Sequence, residues 1–274
     1  MTRAILILIT IGRITAADLS PLNISPTVDH ASLAVFDWND RVHVYRIDGA
    51  LVGTYAAPNA KSVSVDAEGN VAVAGGAGKV LLFNPMGKTN SIDIKGFEAT
   101  NVCLGTDHSV WVMVRPSFSR KLDENLDYPV LRHYSWDGQL IGTALQKSTL
   151  PSPSGRFEST ETNVGGVGCR VFGKRVGVYL NYGGHPEGWW LELGIEGKEI
   201  GRWSTPRVTP RGVGADEIVY GRGWDGAAIL KLDRDRGLWV KLPMSARGDL
   251  VGVDANDLIF RVRWDSTVTR LPIR

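Results

Sequence analysis

Residues 62–88 read SVSVDAEGNVAVAGGAGKVLLFNPMGK, and the fold turns on how this stretch is parsed. Short runs rich in Val, Leu and Phe are separated by Asp66–Asn70, by Gly75–Gly78 and by Asn84–Gly87, clusters of residues that favour turns. β-branched and aromatic runs punctuated by Asp, Asn, Pro and Gly are the chemistry of strands joined by hairpins. No apolar spacing of 3.6 residues runs through the stretch, so a helix is excluded.

The same outline recurs on both sides. A strand, a turn and a second strand appear as PTVDHASLAVF from Pro26, VCLGTDHSVWVMV from Val102, VGCRVFGKRVGVYL from Val167, GVGADEIVYGRG from Gly212 and LVGVDANDLIFRV from Leu250. Aligning Val28, Val65, Leu104, Cys169, Ala215 and Val253 gives six copies at a spacing of about 40 residues, that of one four-stranded propeller blade, with a longer third interval. A second hairpin follows in each unit. VHVYRIDGALVGTY, VLRHYSWDGQLIGTA and WWLELGIEGKEIGRW share Asp48–Gly49, Asp137–Gly138 or Glu196–Gly197, then Gly53, Gly142 or Gly201, and KVLLFNPMGK is a looser copy with Gly87. Each unit is thus a meander of four antiparallel strands. The fold class is all-β, and radial repetition of six such sheets predicts a six-bladed β-propeller.

With its V-D-x-x-G-N and F-N-x-x-G-K patterns, the stretch 62–88 resembles a blade of the six-bladed propeller superfamily that includes NHL-repeat and TolB-like proteins. Weaker copies carry the resemblance over residues 24–274. It implies blade architecture and no particular activity, because this fold hosts enzymes, receptors and scaffolds alike. After Val253 too little chain remains for a fourth strand in the last blade, so Asp18–Asn23 is expected to supply it.

Residues 1–17, MTRAILILITIGRITAA, place Arg3 before an apolar run and small residues after it, the pattern of a secretory signal peptide. Residues 18–274 are then the propeller domain, expected in the periplasm or outside the cell. No stretch approaches the roughly 20 apolar residues of a membrane span. Among 31 basic and 29 acidic side chains, losing Arg3 and Arg13 leaves the two signs equal, which argues against nucleic acid as a partner. Gly75–Lys79 lacks the Ser/Thr and the helix of a phosphate-binding loop, and no cofactor is expected. Cys103 and Cys169 have no zinc spacing. They fall on inner strands of adjacent blades one register position apart, and since successive strand residues face opposite ways, two buried thiols are expected, not a bridge.

The longest connections, Arg115–Pro129, Gln146–Asn163 and Asn181–Gly188, should all emerge on one face. Long loops on a rigid scaffold are where binding residues concentrate. The same face should carry Glu98, Asn101, Glu161, Asn163, His185, Arg211, Arg222, Trp224 and Arg263 as ligand-binding candidates. Arg offers a planar fork to carboxylates, acids and amides suit hydroxyls or a cation, and Trp adds a stacking surface. These features predict a secreted recognition module for a protein partner, a small molecule or a glycan, and they assign no catalytic residue. The alternative is a lactonase-like hydrolase whose divalent cation sits at the channel mouth on Glu161, Asn163, Asn101 and Asp249, a reading that rests on analogy of fold.

Overall fold

The computed structural model describes residues 27–29, 32–36, 39–46, 50–75, 78–87, 89–117, 126–151, 168–181, 188–224, 226, 228–244, 249–254, 257–261 and 268–273. Six antiparallel sheets follow one another along the chain. The first blade is β1 (Thr27–Asp29), β2 (Ser32–Phe36), β3 (Arg41–Arg46) and β4 (Leu51–Ala56). The second is β5 (Ser62–Val65), β6 (Val71–Ala74), β7 (Lys79–Phe83) and β8 (Thr89–Asp93). The third is β9 (Phe97–Leu104), β10 (Val110–Pro116), β11 (Pro129–Tyr134) and β12 (Leu140–Gln146). The fourth is β13 (Cys169–Phe172), β14 (Arg175–Asn181), β15 (Gly188–Gly194) and β16 (Glu199–Ser204). The fifth is β17 (Val208–Val213), β18 (Val219–Gly223), β19 (Ile229–Asp233) and β20 (Leu238–Lys241). The sixth shows β21 (Asp249–Asp254), β22 (Asp257–Arg261) and β23 (Val268–Pro272). Asp18–Asn23, expected to complete it, and the signal-peptide residues 1–17 lie outside the described residues.

Contacts between first strands close the ring: β1 meets β5, β5 meets β9, β9 meets β13, β13 meets β17, β17 meets β21, and β21 returns to β1. The first strand of each blade is therefore innermost, and its free edge must satisfy its own N–H groups. Side chains of the preceding blade do this. The Ser62 and Ser64 hydroxyls accept from the Val102 and Leu104 N–H groups at 3.3 and 3.0 Å, and Asn101 Oδ1 accepts from the Cys169 N–H at 3.3 Å.

The blades pack through both faces. One core joins Ala34, Phe36 and Val44 to Val63, Val73 and Phe83 across the first two blades. A larger one runs through the second, third and fourth blades around Leu82, Trp111, Val112 and Leu191. Phe172, Tyr179 and Trp190 of the fourth blade meet Val219 and Leu232 of the fifth, and Tyr220 and Ile229 meet Leu250 and Leu258 of the sixth. Each such side chain removed from water contributes about 1.5–3 kcal/mol, so the ring is held by blade-to-blade burial.

The turns follow the sequence pattern. In the second, third and fifth blades the first hairpin is a five-residue loop: Asp66–Asn70, Gly105–Ser109 and Gly214–Ile218. Asp66, Asp107 and Asp216 each use Oδ1 to accept the N–H two residues on, at 3.0 Å in all three. This Asx geometry is why Asp recurs there. The third of these loops also corrects the alignment: Ala215 sits in the turn, and Val213 is the last residue of its strand. The second hairpins carry positive φ at Gly138 (90°) and Gly197 (84°), as the acidic-Gly pairs require. Gly197 also lies against the outer strand of the preceding blade, where a Cβ would come 3.2 Å from the Ala144 Cβ.

The cysteines differ from the expectation. Cys103 and Cys169 form a disulfide between the third and fourth blades, with Cα atoms 5.7 Å apart. The alternation was right and its consequence reversed. Two sheets stacked face to face present opposite faces to each other, so residues pointing in opposite senses on neighbouring inner strands point at one another.

Candidate functional site

In an antiparallel ring of this order, the connections between second and third strands share one face with the connections between blades. Every connection longer than five residues falls there: between β10 and β11, β12 and β13, β14 and β15, β20 and β21, and β22 and β23. On the opposite face none exceeds five. The two faces are thus unequal, one of loops and one of tight turns.

The structure disperses the candidate residues. Glu98 and Asn101 lie inside β9, not in a loop before it. The Glu98 carboxylate accepts from Lys61 Nζ at 2.9 Å and from Arg115 Nη2 at 3.1 Å, a three-residue ion cluster joining the second and third blades. Burial alone would raise its pKa, but the hydrogen bonds and charges of Lys61 and Arg115 outweigh that and hold the carboxyl below its usual value. Beside it Arg132 lies 4.0 Å over the Phe97 ring, which packs against Tyr128. Burial pushes the Tyr128 hydroxyl up to about 12.

Asn101 is buried, and its Oδ1 is committed to the Cys169 backbone. Arg222 reaches from β18 to the Gly226 carbonyl and clamps its own hairpin. Trp224, at the tip of that hairpin, has a half-exposed side chain, and its backbone N–H donates to the Arg207 carbonyl at 2.9 Å. Glu161, Asn163, His185 and Arg263 lie outside the described residues, and of Asp249 only the backbone at the start of β21 is described. Among the described residues no group of three His, Cys, Asp or Glu side chains is placed to hold a metal ion.

Arg211 stands in a second polar cluster, between the fourth and fifth blades, with Tyr179, Thr205 and Thr209. Tyr179 and Asn181 alternate along β14 towards the fifth blade, and β17 bulges at Arg211, between Pro210 and Gly212. Burial raises the pKa of the Tyr179 hydroxyl, and Thr205, Thr209 and Arg211 partly offset this. Sequence reasoning missed this grouping, because the bulge that sets Arg211 in β17 breaks the period-two pattern on which a strand face is read. It also missed Glu192, a fully buried carboxylate on the fourth blade that binds Arg175, Arg234 and the Trp190 indole.

The protein is a six-bladed β-propeller with a loop face and a turn face. Solved structures of similar fold include hydrazine synthase of Kuenenia stuttgartiensis, with TM-score 0.59 and 13% identity over 96% of this chain and 79% of that one. Virginiamycin B lyase from Staphylococcus aureus superposes with TM-score 0.57 and 11% identity over 93% and 97%. A third, U3-55K, gives 0.54 and 7% over 94% and 99%. At these identities the likeness is one of fold alone. No family model and no curated protein matches the sequence. Among the described residues no helix is long and apolar enough to cross a membrane.

Proposed function

We propose that the protein is an exported binding module that recognises a protein partner, a small molecule or a glycan on its loop face. The asymmetry of the connections carries this reading, because the scaffold spends its long segments on one side only. Arg211, Arg222 and Trp224 belong to that side, and Glu98 closes it between the second and third blades. The Cys103–Cys169 bridge supports export, since disulfides persist in oxidising compartments such as the periplasm and the cell exterior. A hydrolase would need Glu161 and Asn163 to supply the cation site, because Asn101 is already engaged.

Site-specific photo-crosslinking tests the reading. A benzophenone amino acid at Trp224, on the loop face, is expected to capture the partner or ligand in the protein's native milieu. The same probe at Leu238, exposed at the start of β20 near the turn face, is expected to capture none. Capture at Leu238 alone overturns the proposal. N-terminal sequencing of the exported protein checks removal of residues 1–17.

A further inference from the structure

Arg207 holds a backbone conformation that its side chain does not favour. Three connections between blades bend through one kind of turn, at Pro58–Asn59, Lys95–Gly96 and Pro206–Arg207, and the second residue of each has positive φ: 55° at Asn59, 75° at Gly96 and 54° at Arg207. The Phe97 and Val208 N–H groups close the latter two on the carbonyls of Ile94 and Thr205, at 3.0 and 3.2 Å. Such turns call for Gly or Asn at that position, because the Cβ of other residues crowds the backbone there. Asn59 and Gly96 meet the requirement and Arg207 does not. A residue kept in this region against its preference is held by its surroundings, and such places cluster where proteins bind and act.

What holds it is Trp224. The Trp224 backbone N–H on the Arg207 carbonyl ties the turn before β17 to the hairpin after β18, both on the loop face. That hairpin is closed by the Gly226 N–H on the Gly223 carbonyl and the Gly223 N–H on the Ala228 carbonyl, both at 2.9 Å, and by the Arg222 clamp. The two side chains are left over. Arg207 is exposed, and among the described residues its guanidinium has neither an ion pair nor a hydrogen bond. The Trp190, Trp203 and Trp239 indoles donate to Glu192 and to the Arg234 and Ser204 carbonyls. The Trp224 indole, on a side chain 49% exposed, donates to none of the described residues.

We propose that Arg207 and Trp224 anchor a protein–protein interface whose partner presents a carboxylate side chain beside an apolar pocket. Trp and Arg are the residue types that dominate the energy of such contacts. An indole carried on a hairpin tip already fixed by backbone hydrogen bonds has little ordering left to lose on docking. Charge agrees: in the segments 205–207 and 222–228, Arg207 and Arg222 outnumber Asp225, so the complementary surface is acidic. A small molecule or a free sugar needs a concave bed, whereas a half-exposed indole on a hairpin tip is the convex half of a contact. This inference rests on the loop-face reading and gives that face its partner class.

Panning the full chain against a random linear-peptide library displayed on phage tests it. The selected peptides are expected to share an Asp or Glu next to an apolar residue, and their affinity, read by fluorescence polarisation, should fall as salt rises. Trp224→Ala and Arg207→Gly should each weaken binding at least about tenfold, and Arg207→Lys should restore much of the affinity with its salt dependence. Arg207→Gly also relieves the turn, so its melting temperature should be unchanged or higher while binding is lost, an outcome that a purely structural Arg207 would not give. The absence of an acidic and apolar consensus, binding indifferent to salt, unaltered affinity in either variant, or a lower melting temperature in Arg207→Gly overturns the proposal. If the crosslink at Trp224 captures a small molecule or a glycan, the loop-face reading stands and only this partner class falls. Capture at Leu238 alone removes the loop-face reading itself.

Discussion

Arg234, in the turn after the third strand of the fifth blade, donates from Nε to both carboxylate oxygens of Glu192 in the fourth, at 2.8 and 3.0 Å. Glu192 has no solvent exposure, and Arg175 Nη1 and the Trp190 indole N–H complete its shell at 3.1 and 2.9 Å. Arg234 is itself held by the Glu217 carbonyl at 2.6 Å, and its own carbonyl accepts from the Trp203 indole. One carboxylate thereby ties two blades together on the turn face.

Removing that carboxylate leaves two partly buried guanidinium groups without their shared partner. Glu192→Ala is expected to cost about 3–5 kcal/mol, the usual loss when one partner of a buried pair is deleted. Arg175 is a third exposed, so water replaces much of its interaction, and Arg175→Ala should cost about 1 kcal/mol or less. Urea unfolding of the two variants decides this: equal losses would show that Glu192 is not the centre of the knot.

The disulfide closes a loop of 66 residues that includes the longest connection of the chain. Chain-entropy reasoning puts the contribution of such a loop at roughly 4 kcal/mol. The Cys103→Ala, Cys169→Ala double variant should therefore melt lower than the parent. Dithiothreitol should lower the parent to the same point and leave the variant unmoved. A parent indifferent to reductant would place the stabilisation of these two blades in their apolar core alone.

How much of this was legible in the sequence depends on whether a feature is local. The hairpins were, because Asp66, Asp107 and Asp216 write the same Asx turn into three of the copies and Gly138 and Gly197 mark the next turn in two. Ala215 was misaligned by two residues because a Gly-Ala-Asp turn imitates the end of a strand when only its composition is read. Asn101 looked like a channel-mouth ligand, and its role as acceptor for the Cys169 backbone is visible only once two blades are set side by side. The grouping of Tyr179, Thr205 and Arg211 was hidden for the same reason: its members come from β14, from the connection after β16 and from β17, and converge only through inter-blade packing. The Cys103–Cys169 pair was readable, but only with the geometry of facing sheets in place of that of one sheet.

His133 gives the protein an acid-sensitive point. Its ring stacks on Trp111 at 3.9 Å and 7°, and Nε2 is buried without a partner. Burial lowers its pKa below the ordinary 6.5, against a weaker upward pull from Asp107. The unfolded chain thus takes up a proton more readily than the folded one. Stability from this residue is complete above pH 6.5 and is lost as pH falls through the lower folded value. Asp107 and Glu98, both held below their ordinary 3.8 and 4.5, titrate in a more acid window. His133→Phe keeps the stacking and removes the proton site, so its melting temperature should vary less with pH just below 6.5 than the parent's. Parallel profiles for the two proteins would show that His133 is not the group responsible.

The repeated glycine after each second hairpin has a physical reason in two blades and none in a third. At Gly53 an added Cβ would lie 2.7 Å from Tyr55 Oη and 2.9 Å from its Cζ, and at Gly201 it would lie 2.5 Å from Trp203 Cη2. An aromatic side chain two residues on, on the same face of the strand, covers the glycine. Neither ring is free to yield, since Tyr55 packs at 4.8 Å on Phe83 and the Trp203 indole donates to the Arg234 carbonyl. In the third blade the residue two on is Ala144, and a Cβ at Gly142 would meet nothing within 4 Å. Gly201→Ala should therefore destabilise by about 1–3 kcal/mol through overpacking. Gly142→Ala should stabilise by about 0.5–1 kcal/mol, because alanine has less backbone freedom to lose within a strand. Opposite signs in parallel denaturant melts are the expected result, and a loss at Gly142 as large as that at Gly201 would mean that the aromatic cover is not what the glycine serves.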